Sequence, residues 1–166
     1  MKIILLAAVF ICTTMIGVGV SAYYSKRARF YRDTIKFCEI LLGEITFLHT
    51  KLGYMIEANI ERFSGSFKIV LESYKMYLDH SVAIDTFIET CKNRLVFLKP
   101  QELAVVSDFF RHLGEMDEEG ESGNIKNYIS EFKRIAENCE QDKSRFGGLF
   151  VKLGIAAGAV LVIILI

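Results

Sequence analysis

The chain has no tryptophan and one proline, Pro100, in 166 residues. So few breakers leave long helices uninterrupted. No run alternates apolar and polar residues for long enough to argue a β-strand. Twenty basic residues balance twenty acidic ones, so there is no charge excess to draw the chain onto nucleic acid. Cysteine is sparse: Cys12, Cys38, Cys91 and Cys139 form no CxxC, and none has a second cysteine or a histidine at ligand spacing. The last three fall on apolar helical stripes. They read as reduced, buried residues acting as small hydrophobes, not as a disulfide framework.

Motifs for chemistry are also missing. There is no GxxxxGK[ST] phosphate loop, no GxSxG and no HExxH. His49, His80 and His112 are far apart and read as structural or solvated. The acidic run Glu115 to Gly123 lacks the alternating carboxylates and central glycine of a calcium loop, and reads as a solvated loop, with a docking patch for a basic partner as the alternative. These absences predict no catalytic residue, no cofactor and no metal, and therefore no enzyme. A site assembled from separated residues has no histidine or carboxylate pair on an apolar helix face to support it.

Long uncharged runs lie near both ends. Ile3 to Tyr24 is 22 residues without one, enough to cross a bilayer at about 1.5 Å per residue. Lys26, Arg27, Arg29 and Arg32 follow at once, which places that flank in the cytoplasm and the N-terminus outside. Val20-Ser21-Ala22 resembles a signal-peptidase site. The apolar run is longer than a usual signal h-region, however, and its basic residues follow instead of precede it. The last 14 residues, Leu153 to Ile166, are also uncharged, and counting back to Phe146 gives 21 residues with only Lys152 charged. A lysine near the boundary can snorkel to the headgroups. Lys143, Arg145 and Lys152 again put the basic side in the cytoplasm. The expected order is a transmembrane helix at 1–24, a cytoplasmic helical bundle at 25–146 and a transmembrane helix at 147–166. Gly154 and Gly158 form a GxxxG that lets membrane helices approach closely, within one chain or between copies in a homo-oligomer; chance is the alternative. Gly17 and Gly19 give the first segment its own small surface.

The middle is periodic at helical spacing. One stripe comprises Ile35, Cys38, Leu42, Ile45, Leu48 and Leu52, so a helix should run from the membrane to about residue 50. A short helical piece from Tyr54 to Phe63 and a turn at Ser64-Gly65-Ser66 follow. The next stripe is Phe67, Val70, Leu71, Tyr74 and Leu78. After a break at Asp79-His80-Ser81, with Ser81 as N-cap, comes a stripe from Ile84 to Leu98. Pro100 suits a first helical turn, and Gly114 a C-terminal cap. A last stripe, Ile125 to Cys139, continues toward the second apolar segment. The sum is an all-α chain with a bundle of four or five helices.

Three local runs resemble the stage III sporulation protein AB family: Leu42-Gly43-Glu44-Ile45 with His49-Thr50 and Leu52; Phe109 through Leu113-Gly114-Glu115-Met116-Asp117; and Lys152-Leu153-Gly154 with the apolar tail. The chain departs after Asp117, carrying Glu118, Glu119 and Glu121 where the family often has a glutamine-rich stretch. The resemblance implies a bundle like the type II secretion F domain, in the mother-cell membrane facing the forespore. It also implies a role as platform of a secretion-like channel complex. The partners implied are a secretion-type cytosolic ATPase, stage III sporulation protein AA, and other channel components. Arg111, Glu115, Asp117, Glu118 and Glu119 lie at the tip of a helix pair where a partner can reach, with a merely solvated tip as the alternative. A membrane sensor or signal transducer is the second functional reading, weakened because almost nothing lies outside the bilayer to receive a signal.

Overall fold

The computed structural model describes the backbone of residues 2–47 and 51–165. It describes side chains over 11–45 and 51–163, except 118 and 162. His49 and Leu48 lie outside the described residues. Seven α-helices make up nearly all the described chain, with no strand among the described residues: α1 (Lys2–Phe47), α2 (Leu52–Asn59), α3 (Gly65–Leu78), α4 (Ile84–Arg94), α5 (Pro100–His112), α6 (Glu118–Asp142) and α7 (Gly148–Leu165). A 3₁₀ turn, Ile60–Arg62, follows α2, and a π-turn, Lys143–Gly147, joins α6 to α7. The helical run Glu119–Leu161 is long enough, and over part of its length apolar enough, to cross a membrane.

The chain divides into two compact units, one of Met1–Arg29 with Glu137–Ile166 and one of Phe30–Ala136. The second unit closes on an aromatic core. Phe30 meets Phe67 and Phe97 edge-on, with ring centroids 5.6 and 5.8 Å apart. Phe37 contacts Phe63, Phe67 and Phe110. Phe110 also packs on Tyr74, Phe87 and Phe109, and Phe109 meets Tyr128 and Phe132. Such pairs contribute about 0.5–1.5 kcal/mol each beyond the area they bury.

Within that core the buried Tyr74 hydroxyl donates to the Leu113 carbonyl at 3.2 Å. Burial, then Tyr77 and Glu121, push its pKa above the ordinary tyrosine range. Cys38 and Cys91 are fully buried. Burial pushes the Cys91 thiol up to about 12 and raises Cys38 as well. Both therefore stay protonated and unreactive at neutral pH. None of the four cysteines is in a disulfide, and Cys139 is buried like Cys38 and Cys91.

Three sequence expectations need correction. The stripe on α1 is centred on Phe30, Tyr31, Thr34, Phe37, Cys38 and Leu41, whereas Ile35 and Leu42 are only half-buried. Each residue turns about 100° on a helix, so a stripe misread by one position still includes some of the right residues. Helix α4 is capped by Ala83, not Ser81, because His80 at φ 56° and the bond from Ser81 N to Met76 O keep Ser81 in the preceding turn. Helix α6 begins at Glu118, well before Ile125, so most of the polar stretch is helix instead of loop.

Candidate functional site

The early start of α6 has a local cause. Asp117 accepts a hydrogen bond from Gly120 N at 3.0 Å through Oδ1, and its carbonyl accepts from Glu121 N at 2.8 Å. Asp117 is thus the N-cap of α6, with its carboxylate at the end where helix N–H groups lack intrahelical partners. On the other side of the turn, α5 ends at His112, and Gly114 adopts φ 88°, a left-handed conformation that glycine reaches without strain. His112 Nδ1 lies 3.0 Å from the Asp108 carbonyl. Just below the turn the Tyr128 hydroxyl donates to Asp108 Oδ2 at 2.8 Å, tying α6 to α5. Burial and this bond raise the Tyr128 pKa.

Four of the five side chains expected at the tip are described. Arg111, Glu115, Asp117 and Glu119 are all exposed around the α5–α6 connection, where sequence reading puts them. Glu118 supplies the first residue of α6, and its side chain lies outside the described residues. The residues are not equivalent: the Asp117 side chain caps α6, whereas Glu115 joins the turn through its backbone, its N–H donating to the His112 carbonyl at 3.3 Å.

Sequence reading misses Glu121. It falls among the solvated acidic residues of the run, yet it is 3% exposed. Its Oε1 accepts from Gly114 N at 3.1 Å, so one carboxylate clasps the glycine that ends α5. Its Oε2 has no hydrogen-bond partner among the described residues. The spacing holds a signal: once α6 starts at Glu118, Glu121 stands four residues before Ile125 on the same buried face.

The glycine pair resolves differently. A Cβ on Gly154 would sit 2.7 Å from the Thr13 carbonyl oxygen, and one on Gly17 would sit 2.5 Å from that of Phe150. The small residues of α7 and of the first part of α1 therefore pack against each other within one chain. Gly158 is buried, and a Cβ on Gly147 would approach Ser21 Oγ at 3.4 Å. Thr13, Gly17 and Ser21, spaced by four, make a small-residue ridge on α1. Gly19, expected on that surface, is exposed with nothing within 4 Å of a would-be Cβ. Toward the basic end, Tyr24 stacks on Phe146 and Phe150, and the buried Arg27 guanidinium meets Asp142 Oδ2 at 2.9 Å just before the π-turn.

No cluster of three or more histidine, cysteine, aspartate or glutamate residues is placed to hold a metal among the described residues. A family model described as stage III sporulation protein AB matches residues 2–166, essentially the whole chain. Comparison with curated proteins and with solved structures gave no match.

Proposed function

This chain belongs to the stage III sporulation protein AB family, and from that premise we propose that it is a non-enzymatic membrane-platform component of a secretion-like channel between mother cell and forespore. It holds a cytosolic secretion-type ATPase, stage III sporulation protein AA, against the mother-cell membrane. The observation that carries the reading is the family match over essentially the whole chain, together with an all-helical unit whose flanking segments are apolar. Basic residues at Lys26 to Arg32 and Lys143 to Lys152 on the bundle side of both apolar segments favour a cytoplasmic bundle and termini on the far side. The implied likeness to the F domain gives the bundle the role of a scaffold. Such a scaffold presents a rigid, exposed tip to a partner, here at Arg111, Glu115 and Glu119.

The test is co-expression of the full chain with the ATPase, solubilisation in mild detergent and purification through a tag on the full chain. The ATPase is expected in the eluate. In the same cells, a single cysteine introduced by Glu119→Cys in a cysteine-free variant should resist a membrane-impermeant thiol reagent until lysis. An eluate without ATPase, or a cysteine labelled in intact cells, overturns the reading.

A further inference from the structure

Thr13, Gly17 and Ser21 turn one side of α1 toward α7, and another side of the same helix carries an open groove. The groove has a volume of about 430 Å³ and is lined by Ile11, Thr14, Met15, Val18 and Gly19. Ile11, Met15 and Val18 are exposed. Gly19 brings no side chain, and a Cβ there would meet nothing within 4 Å, so the groove stays open at that end. By helical rise the lining lies about 8–20 Å below the level of Tyr24. One leaflet of bilayer hydrocarbon is about 15 Å deep. In a membrane the groove therefore meets the tail of a lipid, not its headgroup.

A cation stands above it on the same helix face. Lys26 follows Gly19 by seven residues, about 20° short of two turns, and Met15 by eleven, about 20° beyond three. The rise from Gly19 to Lys26 is about 10 Å, which a flexible lysine stem partly spans. Lys26 is exposed and makes no ion pair among the described residues. No acidic residue precedes Asp33, so this part of α1 offers it none. Across the helix pair, Asp142 holds Arg27 and Glu140 holds Lys143. Exposed Tyr23, one turn before Lys26, stands where amphipathic rings meet the headgroups. A second copy fits this face poorly. In one membrane it would lie parallel and set its own Lys26 and Arg29 against these, like charge on like. A zwitterionic lipid brings a phosphate already matched by its own cation. An anionic phospholipid brings a tail for the groove and an unmatched negative charge for Lys26.

We propose that this groove and Lys26 form a binding site for one anionic phospholipid, with a tail along Ile11 to Gly19 and the phosphate at Lys26. The proposal rests on the reading of the apolar ends as membrane helices and goes beyond the platform role. The tail fills the open end at Gly19, and the headgroup gives Lys26 the counter-charge that the described residues do not supply.

The experiment first washes membranes that hold the full chain with alkaline carbonate, then purifies the chain in mild detergent. Native mass spectrometry reads the lipid it retains from equal amounts of phosphatidylglycerol and phosphatidylcholine with the same acyl chains. Phosphatidylglycerol is expected in about fivefold excess, which is what one lysine near an anionic surface contributes. Lys26→Gln should bring the ratio close to one. Gly19→Leu fills the groove and should remove most of both adducts. Lys152 is also exposed and without an ion pair among the described residues, but it lies on α7, so Lys152→Gln should change neither. Equal retention of the two lipids by the natural chain overturns the proposal whether or not a variant folds. A preference that survives Lys26→Gln, or that Lys152→Gln reduces as much, overturns it too. Lipid-free dimers that Gly19→Leu dissociates would give the groove to a second copy and overturn it. A chain that carbonate strips from the membrane overturns the membrane reading and the proposal with it, whereas a resistant chain without the preference overturns the lipid site alone.

Discussion

Residues of one type do different work in this chain, and their surroundings decide which. Asp117, Glu119 and Glu121 are neighbours in an acidic run, yet the first caps α6, the second is exposed and the third is buried against Gly114. The aromatic residues divide in the same way. Tyr54 is 69% exposed, whereas Phe110 is fully buried in contact with Phe37, Tyr74, Phe87 and Phe109. Truncating Phe110 removes a ring that joins α1, α3, α4 and α5, and the cavity it leaves cannot collapse without moving several of them. Phe110→Ala should therefore cost about 3–5 kcal/mol, read by chemical denaturation followed by circular dichroism. A loss below about 1 kcal/mol would mean that the ring network is looser than its geometry indicates. Tyr54→Ala, by contrast, should change stability by less than about 0.5 kcal/mol.

Elements in this protein are set by their ends and their small residues as much as by their stripes. Pro100 opens α5, and Glu102 reaches back to accept from Lys99 N at 3.2 Å, which ties down the first turn. The π-turn at Lys143–Gly147 lies between α6 and α7, between the Arg27–Asp142 pair and the packing of Gly147 near Ser21. An extra residue per turn at such a point re-aims the face of the following helix. In α7 the glycines are the contact surface. Gly154→Leu would force its side chain into the Thr13 carbonyl, so the two helices must part. The expected result is a loss of about 1–3 kcal/mol in detergent-solubilised full chain, read as a lowered melting temperature. Gly19→Leu, with nothing within 4 Å, should leave it unchanged. Equal effects of the two would show that this seam does not hold the helices together.

At the scale of the whole molecule, the two units differ in what closes them. The unit Phe30–Ala136 carries its own aromatic core, with the rings from Phe30 through Phe132 meeting inside it. About 105 residues with such a core bury enough surface to be stable alone. A fragment of residues 30–136 should be soluble, helical by circular dichroism and cooperative in denaturant. A disordered fragment would show that the apolar segments are needed to complete the fold.

The helical class, the apolar ends, most of the buried residues and the breaks at Asp79–Ser81 and Gly114 were legible in the order of the residues. These follow from period, composition and glycine geometry, which act over a few neighbouring residues. Arg111, Glu115 and Glu119 were legible as exposed for the same reason. The tertiary structure alone decided which way each α1 residue faces, because Ile35 and Phe37 are both apolar and only packing partners choose between them. It also decided that Gly17 meets α7 while Gly19 does not, since a small residue announces no partner. Above all it decided the fate of Glu121. A carboxylate in an acidic run looks solvated until the turn of α5 into α6 brings Gly114 N against it. Burial belongs to the fold, because it takes residues distant in sequence to exclude the water.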